Sequence, residues 1–169
     1  MNTPTLTNLR PSTPDSRDRI AKVGTVALPI MFDLKPDVFE VENQEQFSSC
    51  TANAGCSALE LMYKKHGTPY DLSRMFLYHY VRQIGGMVGD NGAQPRDIGK
   101  ALKNYGVCLE ATHPYTAANL EATPSNEAHA EAIPHKILSY EAITPLGGDI
   151  LTQIKTSGVK GIPVLSTTA

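Results

Sequence analysis

The sequence predicts an α+β fold, and three observations carry that prediction. Helix signals fill the middle of the chain and strand-like segments gather toward its end, an order that suits α+β rather than alternating α/β architecture. The stretch CTANAGCSA, beginning at Cys50, consists almost entirely of small residues, as a helix packed closely on several sides requires. The 13 glycines and 12 prolines among 169 residues describe a loop-rich chain with several turns. That length holds one ordinary domain or two small lobes and can bury a sizeable core.

Residues 1–27 are rich in Thr, Pro, Ser, Asn and Asp and read as an extended leader or arm without a core of its own. From Leu28-Pro29 a short apolar stretch, 28–34, reads as strand or extended chain, and a polar loop covers Gln44 to Ser49. A helix is predicted from Cys50 to about Lys65, closed by His66-Gly67. A second helix is predicted over 73–84, with Ser73 as N-cap and Gly85-Gly86 as stop. A third is predicted over 96–105, with Pro95 near its first turn and Gly106 at its end. Beyond Val107 the reading is loop, a helical turn at 126–132, a strand at 135–143, a short helix at 148–158 and a strand at 161–169. The resulting division is 1–27 arm, 28–112 helical lobe and 113–169 the start of a β-rich lobe.

Composition excludes several function classes. Apolar residues make 41% and charged residues 19%, a globular profile. Fifteen Lys and Arg stand against 17 Asp and Glu, a net charge of -2. That gives no electrostatic case for nucleic acid or an anionic membrane. No apolar run approaches the ~20 residues of a membrane span, and the N-terminus has no signal-like apolar segment. Three cysteines, Cys50, Cys56 and Cys108, form no CxxC pattern; a cytoplasmic, reducing setting is the expectation. The five histidines have no metal-ligand spacing with Cys or acidic residues, and no metal or cofactor is expected.

The segment Gln44 to Ala54 carries the chemistry. A cysteine at the first position of a helix meets unpaired N–H groups and the positive end of the helix dipole, which favour thiolate. An amide six residues earlier, on a loop returning toward the helix, can point its NH2 near the sulfur. With the backbone N–H of Cys50 it forms a potential oxyanion site. A cysteine at a helix start can equally serve packing alone.

Gln44-x5-Cys50 followed by Thr51-Ala52-Asn53-Ala54 resembles the papain family of cysteine peptidases, in its bacterial and viral branch. Further matches are Pro14 to Asp18 in the leader, Leu28-Pro29 with Phe32-Asp33-Leu34, Ser73-Arg74 with Phe76-Leu77-Tyr78, and Tyr105 to Cys108 with Glu110 and His113-Pro114-Tyr115. The resemblance covers nearly everything from residue 14 to 169. It implies a papain-like helical left lobe plus the first strands of an incomplete β-barrel right lobe. It also implies Cys50 as nucleophile, Gln44 as oxyanion donor, and Asn91 with Gly92 pairing with the substrate backbone. Two loop glycines of the family are replaced by Ser48 and Ala93. The cysteines that form disulfides in secreted members correspond to Phe47 and Asp90.

A cysteine peptidase also needs a histidine base held by Asn or Asp. In this family the His follows the Cys by about 130–150 residues, which places it beyond residue 169. None of the five histidines present reads as a substitute. His66 ends the first helix, about 24 Å from Cys50 at 1.5 Å per residue. His79 reads as packing or surface, His113 as structural, and His129 and His135 as surface residues. The expectation is a thiol peptidase acting on peptides or proteins, of which this chain is the nucleophile-bearing portion. Alone it would be inactive, and it would seek its missing C-terminal segment or another chain. A catalytically inactive binding or structural protein and a thiol-chemistry role for Cys50 without histidine are the alternatives. Retention of both Gln44 and Cys50 favours the peptidase.

Overall fold

The computed structural model describes residues 10, 12, 13, 15–22, 24 and 26–165; the expectations for 1–9 and 166–169 lie outside them. Five α-helices form: α1 Cys50–Lys65, α2 Arg74–Gly85, α3 Pro95–Asn104, α4 Asn126–Ala132 and α5 Ile150–Val159. Local chemistry sets their ends. Ser73 caps α2 by accepting the Phe76 N–H, and Gly86 takes the left-handed conformation, φ 66°, that stops it. Pro95 opens α3, its missing N–H costing nothing in the first turn. Ser125 and Asp149 cap α4 and α5 in the same way as Ser73.

Helix α2 is the centre of the fold, with Met75, Phe76, Leu77, Tyr78 and Val81 all buried. The small-residue half of α1 lies against α2 and α3, as its composition requires. A Cβ added to Gly55 would sit 2.7 Å from Ile98 Cγ2 and 2.9 Å from Leu77 Cδ2. Glycine thus sets how closely the three helices approach. The chain after α3 then folds back over the start of α2. Ser73 N–H donates to the Cys108 carbonyl at 2.8 Å, and Ser73 Oγ donates to the His113 carbonyl at 2.5 Å. This return brings Tyr115 beside the loop that precedes α1.

The expected strands do not form. Among the described residues there is no β-strand, only two isolated bridges, Ile20 with Ala142 and Leu72 with Leu109. A strand exists only where a neighbour accepts and donates along its length. In 135–143 the first residues complete a 3-10 turn, Ile133–His135. Ile137 N–H then donates singly to the Leu102 carbonyl at 3.3 Å, and Ala142 pairs with the arm, through Ala21 N–H to the Ala142 carbonyl at 2.9 Å and Ala142 N–H to the Arg19 carbonyl at 2.7 Å. At 161–165, Gly161 turns the chain (φ 73°), Ile162 bonds back to Ser157, and Pro163 offers no donor. Segment 28–34 likewise stays outside any sheet. The helical lobe of the predicted fold is therefore present, and among the described residues no strand of the second lobe forms.

The described residues of the arm pack against α3 and the chain near Ala142. Arg96 bonds to the Thr13 carbonyl and to Asp18, and reaches Asp15 at 3.3 Å. Ala21 is buried. On another face, 28–34, α5 and 162–164 line an open apolar groove of roughly 460 Å³. Ile30 and Ile162 there remain largely exposed, as do Met31 and Leu151 on the same segments outside the groove.

Candidate active site

Cys50 is the first residue of α1, and its thiol is half-buried while Cys56 and Cys108 are fully enclosed. The three thiols differ chemically for that reason. Burial pushes the Cys56 thiol well up, reinforced by the charge of Glu60, and burial pushes Cys108 up to about 12. Neither can serve as a thiolate at neutral pH. Unlike α2, α4 and α5, α1 has no side-chain cap on its first turn. The N–H groups beside Cys50 are thus not taken by a capping side chain.

A directional chain of hydrogen bonds holds the loop before Cys50. Asn53 Nδ2 donates to Ser49 Oγ at 2.9 Å. Ser49 Oγ lies 2.5 Å from Tyr115 Oη, and Tyr115 Oη donates to the Gln44 carbonyl at 2.9 Å. Since the tyrosine's single proton goes to Gln44, Ser49 is the donor between the two hydroxyls. The Tyr115 ring stands edge-on to Phe47 at 5.4 Å, and the Arg74 guanidinium lies 4.2 Å over its face. Gln44 is thereby tied to the helix that carries Cys50. Its side-chain Nε2 donates to the Phe47 carbonyl at 2.7 Å, so one amide hydrogen closes the turn and the other remains to donate elsewhere. Glu45 adopts the left-handed conformation, φ 53°, with its N–H on Asn43 Oδ1.

Asp90 anchors the same loop from the far side. Its carboxylate accepts the Ser48 N–H at 2.9 and 3.1 Å and the Tyr78 hydroxyl at 2.7 Å. Asp90 and Phe47, at positions where the resemblance places cysteines in secreted members, here contribute a charge-assisted hydrogen bond and a ring contact. Ser48 does not sit in the left-handed region, so its Cβ costs nothing there.

Asn91 is exposed at the rim, and Gly92 is buried with φ 74°. The Gly92 N–H donates to the Tyr78 hydroxyl at 3.2 Å. The neighbouring backbone instead meets the arm: Arg10 N–H donates to the Ala93 carbonyl and Arg10 Nε to the Asn91 carbonyl, each at 3.3 Å. Thr13 N–H adds a bond to Gln94 Oε1 at 3.0 Å. Arg10 and Thr13 of the arm thus already lie against 91–94.

Among the described residues no histidine is hydrogen-bonded to Cys50. His66 caps the exposed end of α1. His79 is half-buried against Tyr80, and His113 is buried with its ring near Phe76. His129 bonds to the Tyr80 hydroxyl and the Ser125 carbonyl. His135, expected at the surface, is 7% exposed and bonds to the Tyr63 hydroxyl at 2.8 Å. Burial lowers the pKa of His79, His113 and His135. Tyr115, Asp90 and Tyr78 had no assigned role in the sequence, although Tyr115 and Tyr78 lie in segments that carry the resemblance and Asp90 stands at a disulfide position of secreted members.

The fold is similar to that of xylellain, a cysteine protease from Xylella fastidiosa, with a TM-score of 0.79 and 30% identity over 88% of this chain and 60% of that one. It is also similar to digestive procathepsin L 3 of the Tenebrio molitor larval midgut, TM-score 0.66, at 18% identity over 85% of this chain and 46% of that one. A third likeness is proCathepsin B S9 from Trypanosoma congolense, TM-score 0.53, at 19% identity over 80% and 51%. The last two speak to the fold alone. No protein-family model and no curated protein matches the chain. The fold is that of a papain-like helical lobe, with Cys50 at the start of α1. The chain is related to the papain-like cysteine peptidases, and it spans 60% or less of the length of these relatives.

Proposed function

We propose that this chain is the nucleophile-bearing portion of a papain-like cysteine peptidase that hydrolyses peptide bonds in peptides or proteins. The half-exposed Cys50 thiol at the uncapped start of α1 carries the reading. Cys50 Sγ attacks the scissile carbonyl carbon while a base removes the thiol proton. The resulting oxyanion accepts hydrogen bonds from the Cys50 N–H and the free N–H of the Gln44 amide. The protonated base then gives its proton to the leaving amine, and water hydrolyses the thioester. None of the five histidines is hydrogen-bonded to Cys50, so the base is assigned to polypeptide outside these residues, and the 169-residue chain alone is inactive. That polypeptide, or another chain, is the expected partner.

In this reading 28–112 form the nucleophile lobe and 113–169 begin the second lobe. Substrate runs past Asn91 and Gly92, in the place where Arg10 and Thr13 now lie, so the arm of residues 1–27 competes with substrate. The setting is cytoplasmic. Among the described residues no helix is long and apolar enough to cross a membrane. Retention of Gln44 and Cys50 in one braced unit favours this reading over an inactive binding protein. The test is turnover of a peptide substrate by the form that carries the base. Cys50→Ala abolishes it, and Gln44→Ala lowers kcat by about 100- to 1,000-fold. Unchanged turnover in Cys50→Ala refutes the assignment.

A further inference from the structure

Away from Cys50, the midpoint of α1 faces an acidic pocket that the peptidase reading does not use. Oxygens of Glu42, Glu60 and Asp71 lie within 4.8 Å of one another. Glu40 and Glu110 add their charge to the same neighbourhood, and the cation that faces it is Arg74. Arg74 is already committed, at 2.5 Å to Glu42 and 3.6 Å to Glu110.

Glu60 is the informative member. It is 1% exposed. Its Oε1 accepts the Leu72 N–H at 2.8 Å, while Oε2 is buried without any partner. A buried carboxylate oxygen without a donor is costly and rare in a native protein. Nothing donates to it among the described residues, and the carboxylates of Glu42 and Asp71 repel its charge. A cation placed among the three would satisfy the orphan oxygen and relieve that repulsion at once. Hard oxygen donors only, with no nitrogen or sulfur, suit calcium. Two Ca–O bonds of about 2.3–2.6 Å span the observed spread of oxygens.

We propose that Glu42, Glu60 and Asp71 form a divalent-cation site, with calcium as its occupant, that braces the α1–α2 connection and the chain leading to the Gln44 loop. Glu42 reaches the ion from the segment before that loop, Glu60 from inside α1, and Asp71 from the residues just ahead of α2.

The test is calorimetric titration of the chelator-treated full chain with calcium chloride, together with thermal melting with and without the ion. Wild-type protein and Cys50→Ala should both bind one ion saturably and melt higher in its presence. Glu60→Gln keeps an oxygen for Leu72 N–H and should weaken binding by about 10-fold or more. Asp71→Asn, at an exposed position that leaves the core untouched, should do the same and decides the matter if Glu60→Gln does not fold. No saturable heat at calcium on the order of millimolar, or equal affinity in the two variants and wild-type, overturns the site; either result means that a proton or a lysine ammonium meets these carboxylates. Because Cys50→Ala leaves calcium binding intact, failure here is distinguishable from failure of the peptidase assignment.

Discussion

At the scale of single residues, accessibility and hydrogen-bond direction decide what each group can do. Cys50 is half-exposed, whereas Cys56 and Cys108 are enclosed and hold their protons. Iodoacetamide at pH 7.5 should therefore alkylate one thiol of the native chain, located by peptide mass mapping at Cys50, and all three after denaturation. Labelling of Cys56 or Cys108 in the native chain would contradict the burial described. The Tyr115 hydroxyl is equally decisive, because it is the single link between Ser49 and the Gln44 carbonyl. Tyr115→Phe keeps the ring on Phe47 and under Arg74 while leaving a hydroxyl and a carbonyl short of partners. It should cost about 1–3 kcal/mol of stability, read by urea unfolding. Gln44-x5-Cys50 was legible in the sequence because loop and nucleophile are six residues apart. The Tyr115 brace was not, since it closes across 66 and 71 positions. His135 was misread as a surface residue for the same reason: its partner Tyr63 is 72 positions away.

At the scale of elements, helices were legible and strands were not, and hydrogen-bond range explains the difference. A helix satisfies its backbone within four residues, and its caps lie in the next few. Ser73, Gly86 and Pro95 each sit where the chain announces a boundary. A strand is defined by a neighbour, and 135–143 finds one residue of pairing with the arm. The close approach of α1 to α2 and α3 was also legible, from the run of small residues after Cys50. Gly55 tests it. Any larger side chain must push into Ile98 and Leu77, and overpacking of this kind costs about 1–3 kcal/mol, sometimes more. Gly55→Val should therefore lower the thermal midpoint by several degrees, since each kcal/mol moves it about 2–4 °C in chains of about this size. A midpoint equal to wild-type would mean that the three helices are not in contact at this point.

At the scale of the molecule, two faces differ sharply. The side built from α1, α2 and α3 encloses a continuous core, with Phe76, Leu77, Tyr78 and Val81 fully buried. The side built from 28–34, α5 and 162–164 leaves Ile30 and Ile162 in water at an open groove, with Met31 and Leu151 exposed on the same segments. Exposed apolar surface of this sort is where association is expected. The proposed function and the packing therefore lead to one prediction, since among the described residues no histidine is bonded to Cys50 and the groove stands open. The isolated 169-residue chain should bind a hydrophobic dye such as ANS and elute from a sizing column at a mass that rises with concentration. It should also leave peptide substrates uncleaved. Replacing Ile30 and Leu151 together with Ser removes exposed side chains without touching the α1–α3 core, so it should reduce both dye binding and association while leaving the helical signal by circular dichroism unchanged. A chain that stays monomeric at high concentration, binds no dye and cleaves peptides through Cys50 would overturn both parts: the groove would need no cover, and one of the five histidines would have to reach the thiol.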